Sequence, residues 1–248
     1  MEKMILIAGK DFPDGSDFSS TAVLKGDLAV ITANADSKDL STEDGSVLYP
    51  WNRASALSSR SLVLNCVNKT GKIDEAYIIF DEEFYASKFS GIKSSEIAKC
   101  VDELILGYQY LVSELISRFS EQKASGFSKI IFIYKENIAE ANVILNSNNK
   151  INKNSVSNVL VSAAGSAFKS FAQNIVAKIV NEENILPILI DCENDNVIYR
   201  KDSELASWLY SFVAQIETQK KPLTAKQKVS WIKAGVKSSG GFGLFKWH

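Results

Sequence analysis

Six short, nearly uninterrupted apolar runs separated by helix-patterned stretches constrain this chain more than any other feature. They are MILIA (4–8), LAVIT (28–32), VLYPW (47–51), EAYIIF (75–80), KIIFIY (129–134) and ILPILI (185–190). A strand with one face in water alternates apolar and polar residues, whereas a strand covered on both faces does not need to. Pro187 inside the last run lacks a ladder donor and predicts an edge-side or irregular position there. Between the runs, Ile97, Val101, Leu104, Ile105, Tyr108, Leu111, Val112, Leu115, Ile116 and Phe119 recur at helical spacing and predict a helix from Ser94 to about Gln122 with one buried face. Ser94 or Ser95 can cap it. Further helices are predicted over about Ala54 to Asn68, Val156 to Asn181, and from Asp202 or Ser203 onward, the last burying Leu205, Trp208, Leu209, Phe212, Val213 and Ile216. Alternating strands and helices imply right-handed crossovers, hence an α/β fold: a doubly wound, Rossmann-like parallel sheet with helices on both faces.

A chain of 248 residues accommodates one well-buried domain of this kind. We expect it over residues 1–217, followed by a basic, glycine- and aromatic-containing tail over 218–248. Formal net charge is −1, but the charge is uneven: all 29 acidic residues precede Thr218, while seven of the 28 basic ones follow it. The Asn-, Ser- and Lys-rich stretch from Asn137 to Asn158 reads as a loop on one rim of the sheet. No apolar run reaches the length of a membrane span, and the opening MEKMILIAGKDF places acidic residues close behind a very short apolar run. The expectation is a cytoplasmic protein without membrane contact. Cys66, Cys100 and Cys192 lack the spacing of a disulfide framework or zinc site, and no metal is expected. The one histidine is His248, so a Ser/His/Asp or Cys/His centre has no plausible base.

The first run leads into MILIAGKDFPDGSDFSS (4–20), which has the form of a nucleotide-binding strand and turn. Together with SLVLNCVNKTGKIDEAYIIF (61–80), the helix VDELILGYQYLVSELI, the strand FSKIIFIY and the helix VSAAGSAFKSFAQNIVAKIVNEENI, its order and spacing resemble the short-chain dehydrogenase/reductase (SDR) family over about residues 4 to 215. The resemblance implies a Rossmann-like NAD(P)-binding fold, but the family's motifs depart here. Its GxxxGxG turn falls on Gly9, Pro13 and Gly15, and Pro13 adds a ring and deletes an amide where backbone should meet pyrophosphate. Asp11, Asp14 and Asp17 crowd the same turn, where each charge pair about 7 Å apart at an effective dielectric near 20 opposes a diphosphate by about 2 kcal/mol. The following helix, FSSTAVLK, is short for a strong N-terminal dipole. The NNAG motif falls on Ile78, Ile79, Phe80 and Asp81; the helix asparagine on Leu104, ahead of Gly107; the catalytic serine on Tyr134 or Lys135; and the YxxxK pair on Val161 and Gly165.

Taken together, these residues imply a degenerate SDR-like protein lacking the catalytic tetrad, with no catalytic residues to name. Gly9 and Gly15 remain as vestiges of the cofactor turn, no cofactor is expected, and the function is structural or interactive. The alternative is a divergent NAD(P)-dependent oxidoreductase with relocated groups, for which Tyr134 with Lys135 offers a phenol and an amine; the plainer reading is strand-end packing. Asp81, Glu82 and Glu83 offer carboxylates for a cation or, as we expect, a solvated helix start. By resemblance, the helices over 94–122 and 156–181 pair in a homodimer or tetramer, with Ala163, Ala164, Gly165, Ala167 and Ala172 permitting close approach, although packing on the chain's own sheet explains some of them equally well. Phe242, Phe245 and Trp247, set among glycines and Lys246, form a candidate docking peptide for a protein partner, or fold back on the chain itself. Nucleic-acid binding by the lysine-rich tail rests on charge alone and is not expected.

Overall fold

In the computed structural model the described residues are 2–35, 42–89, 93–122, 127–137, 158–179, 182, 184–193, 196–218, 228–236 and 245–246. The six apolar runs form β1 (Met4–Ala8), β2 (Leu28–Asn34), β3 (Val47–Trp51), β4 (Glu75–Asp81), β5 (Ser128–Lys135) and β6 (Ile185–Cys192). Beyond them lie β7 (Lys228–Val229), β8 (Ile232–Lys233) and β9 (Phe245–Lys246). One sheet runs β3-β2-β1-β4-β5-β6-β8, and all its pairs are parallel. The β8 ladder touches only Ile190 and Asp191 of β6, so Pro187 stands where β6 is itself the sheet's edge. That fits its missing donor.

Both faces of the sheet are covered, which is why the runs do not alternate. Met4, Leu6 and Ala8 pack with Leu62, Leu111 and Phe168 from α2 (Ala56–Thr70), α5 (Gly107–Glu121) and α6 (Val159–Ile179). Ile5 and Ile7 face the other way, onto Phe18, Leu209 and Phe212 of α1 (Ser16–Leu24) and α7 (Asp202–Thr218). Helix α2 shows how local residues set the limits of an element. Ser55 accepts a hydrogen bond from the Ser58 amide at its start, and Gly71, at φ 81°, ends it with an amide bond to the Val67 carbonyl.

The helix expected over 94–122 is broken in register. It comprises α4 (Ser94–Cys100), a π-helical stretch (Val101–Leu106) and α5. The wider turn rotates the apolar stripe, so Ile97 and Val101 are 42% and 40% exposed while Tyr108, Leu111, Val112, Leu115 and Phe119 stay buried. Short α3 (Glu82–Ala86) follows β4 without a loop. Within the basic segment after residue 218, β8 joins the sheet beside β6, and Trp231 packs edge-on against Tyr134 of β5. Among the described residues no helix is long and apolar enough to cross a membrane.

Candidate functional site

From β1 the chain builds β2 and β3 to one side and β4, β5 and β6 to the other. The crevice at the carboxyl ends of β1 and β4 is therefore the sheet's switch point, the place where such sheets take ligands. Gly9 leaves β1 at φ 108°, and a Cβ there would run into the Ile79 carbonyl of β4; one at Gly15 would meet the Lys10 carbonyl. The chain's own close approaches thus account for both glycines. The turn's amides are also taken up by the chain: Phe12 N donates to Thr32 O of β2 (2.8 Å), and within the turn Gly15 N donates to Asp11 O (3.1 Å) and Ser16 N to Pro13 O (3.0 Å).

A side chain from outside the turn is seated behind it. Arg53, in the turn between β3 and α2, is buried; its Nη2 donates to Asp11 Oδ2 (2.8 Å) and to Gly9 O (2.9 Å), and its Nη1 to the Tyr85 hydroxyl. Tyr85 also bonds Gly9 O, and Tyr108 donates to Ile79 O at 2.5 Å. The guanidinium lies 4.6 Å from the Trp51 ring centroid. Gly107 makes room for this arrangement, since a Cβ there would stand 2.8 Å from the Arg53 carbonyl oxygen. Burial pushes the Asp11 carboxyl up, but Arg53 and the Thr32 hydroxyl (2.6 Å) outweigh it and hold the carboxyl below its usual value. Of the three aspartates expected to repel a diphosphate, Asp11 is therefore buried and neutralised; Asp14 and Asp17 stay exposed on the wall of the cleft.

On the other side of the sheet four charges close a ring. Lys10 Nζ contacts Asp81 Oδ2 (2.6 Å) and Asp202 Oδ2; Lys135 Nζ contacts Asp81 Oδ2 (3.0 Å) and Asp202 Oδ1 (2.7 Å). Burial raises the Asp81 carboxyl, but Lys135 and Lys10 together hold it below the ordinary range. Burial would lower the Lys135 ammonium; Asp81 and Asp202 instead hold it well above its usual value. This ring floors a cleft of about 420 Å³ whose walls include Asp14, Asp17, Glu83, Arg200 and Lys201.

Tyr134 and Lys135, considered as a relocated pair, do not meet. Successive strand residues point to opposite faces, so Lys135 joins the ring while Tyr134 turns toward α6. There the Tyr134 hydroxyl donates to Glu82 Oε1 at 2.6 Å, and burial together with that carboxylate pushes the phenol far above its usual value. Gly165 permits this contact, because a Cβ would stand 2.5 Å from Glu82 Oε1 and 3.0 Å from the Tyr134 oxygen. Val161 is buried at 1% exposure. An amine does lie nearby: Lys169 Nζ is 4.7 Å from the Tyr134 ring centroid and bonds Asp191 at 2.9 Å.

The helix start expected at Asp81 is present, with Asp81 Oδ1 accepting from the Glu83 and Phe84 amides, but only Glu83 of the three acids is solvated: Asp81 is 1% and Glu82 5% exposed, each held by a partner. No acidic, histidine or cysteine cluster suited to a metal occurs among the described residues. The three cysteines are free and buried, with the Cys66 and Cys192 thiols pushed up to about 12, chiefly by burial. Phe245 lies in β9, opposite Val229. Phe242, Trp247 and most of the Asn137–Asn158 stretch lie outside the described residues. Sequence reasoning did not single out Arg53, Lys10, Asp202 or Lys169. Lys10 directly after Gly9 and Arg53 just beyond an edge strand carried some signal; Asp202, a helix-start aspartate, carried none.

No protein-family model matches the chain. An uncharacterised protein of Treponema pallidum (strain Nichols) is 25% identical over 205 residues, covering 82% of this chain and 79% of the relative. Among solved structures, an NADH-dependent reductase, A1-R', in complex with NAD superposes with a TM-score of 0.66 at 15% identity, covering 94% of this chain and 95% of that one. A short-chain dehydrogenase from Streptomyces avermitilis gives 0.62 at 12%, covering 95% and 89%. These likenesses establish the fold, a Rossmann-like parallel sheet flanked by helices that the chain shares with short-chain dehydrogenases and reductases.

Proposed function

We propose that this chain is a non-catalytic protein of the SDR fold, acting as a structural or interaction component through homo-oligomerisation and its C-terminal tail. One observation carries the reading. Where the resemblance calls for a phenol and an amine four residues apart, α6 supplies Val161 and Gly165, and the nearest phenol, Tyr134, is bound to a carboxylate that suppresses its ionisation. Losing a positioned acid/base costs on the order of a hundred- to ten-thousand-fold in rate. The crevice residues likewise do not fit a dinucleotide in the family's pose. The turn's glycines face their own chain, Pro13 offers no amide, and both lysines at the floor are already paired.

The reading is tested by following NADH and NADPH absorbance with a panel of aldehydes and ketones, beside sedimentation equilibrium. The expected result is no turnover above the blank and a dimer or tetramer. A second reading, a divergent NAD(P)-dependent oxidoreductase, is favoured by the Lys169 ammonium beside the Tyr134 ring and by the NADH-dependent reductase among the structural neighbours. Turnover abolished by Tyr134→Phe would install it in place of the first.

A further inference from the structure

Lys10 and Lys135 are brought to the switch point by β1 and β5, where they are 11% and 5% exposed, and each touches both Asp81 and Asp202. Asp81 belongs to the sheet itself, as the last residue of β4. Asp202 does not. It is the first residue of α7, 192 positions from Lys10, and enters the crevice from outside the sheet. Two ammonium groups with Asp81 alone would leave one uncompensated positive charge in a buried place. Arg200 and Lys201 line the same cleft, and the positive end of α7 lies beside it. At the buried floor this makes a locally cationic position suited to an anion, although the rim balances Arg200 and Lys201 with Asp14, Asp17 and Glu83, and the Asp202 carboxylate fills that position.

We infer that Asp202 is a built-in occupant of the crevice, an intramolecular anion seated where an external phosphate group would bind. The inference rests on the reading above that the crevice takes no dinucleotide, and it adds the reason: the cations remain, and the chain ligates them itself. Asp14, Asp17 and Glu83 on the cleft walls are exposed, so solvent and salt screen their repulsion of an added anion and leave the buried lysine pair to decide occupancy. Removing the Asp202 charge leaves the lysine pair with one carboxylate and opens the position to phosphate chemistry.

Inorganic pyrophosphate at matched ionic strength is the probe, and thermal unfolding is the readout. Wild-type Tm should not move with pyrophosphate. Asp202→Ser, which keeps a capping hydroxyl at the start of α7, should show a saturable rise of about 5 °C or more at a hundred-fold excess over Kd. Asp202→Asn should respond in the same direction, and Asp202→Glu, which retains the charge, should not. Glu121→Ser, which deletes an exposed acid paired with Arg118 far from the crevice, should match wild type. Far-UV circular dichroism checks that each variant folds. A saturable rise in wild type overturns the inference, as does its absence in both folded neutral variants. Neither outcome touches the turnover assay, so a failure here is separable from a failure of the non-catalytic reading.

Discussion

Arg53 is the residue on which the β1 turn depends. Its guanidinium bonds Asp11, Gly9 and Tyr85 from a buried position, and Asp11 is itself only 7% exposed. Truncating one member of such a pair strands the other's charge, at a cost of about 3–5 kcal/mol. Arg53→Met should therefore lower urea stability by that order, and Arg53→Met with Asp11→Asn should recover part of it. A loss below about 1 kcal/mol for the single variant would show the pair to be incidental. The site was less legible in the sequence at this scale than any other feature. Asp202 is chemically ordinary until the topology carries it to Lys10, and Tyr134 with Lys135 looks like a pair only until strand geometry separates them.

Elements, by contrast, were legible wherever burial on both faces left an unbroken apolar run. β1, β4 and β5 are buried at every position, charged ends included, because the ends are paired: Glu75 with Lys129 at one end (3.0 Å) and Asp81 with Lys135 at the other. The helix over 94–122 was legible as a helix but not in its phase, since its spacing does not reveal the π turn that exposes Ile97 and Val101. This layout predicts a protection order for amide hydrogen exchange: slowest in β1, β4 and β5, faster in edge strand β3, fastest in β8. Trp231→Ala, which removes the ring packed on Tyr134, should speed exchange in β8 while leaving β1 unchanged. Equal loss of protection in β1 would mean that the tail supports the whole sheet.

For the molecule as a whole, charge pairs around the crevice tie the β1 turn, β4, β5 and α7 together. Folding thereby becomes sensitive to acid. Asp11 and Asp81 have folded carboxyl values below the ordinary one, so their contribution is fully present above the unfolded value near 4 and is lost as pH falls through the lowered folded values. Glu82, raised by burial, acts in the opposite sense. Stability measured by urea should drop steeply below about pH 4, and Asp81→Asn should flatten that slope. An unchanged slope would remove Asp81 from the account.

Calorimetric titration of NADH and NADPH into the chain tests the self-occupied crevice most directly. Heats no larger than dilution up to millimolar cofactor are the predicted result; a saturable isotherm with micromolar Kd would contradict it.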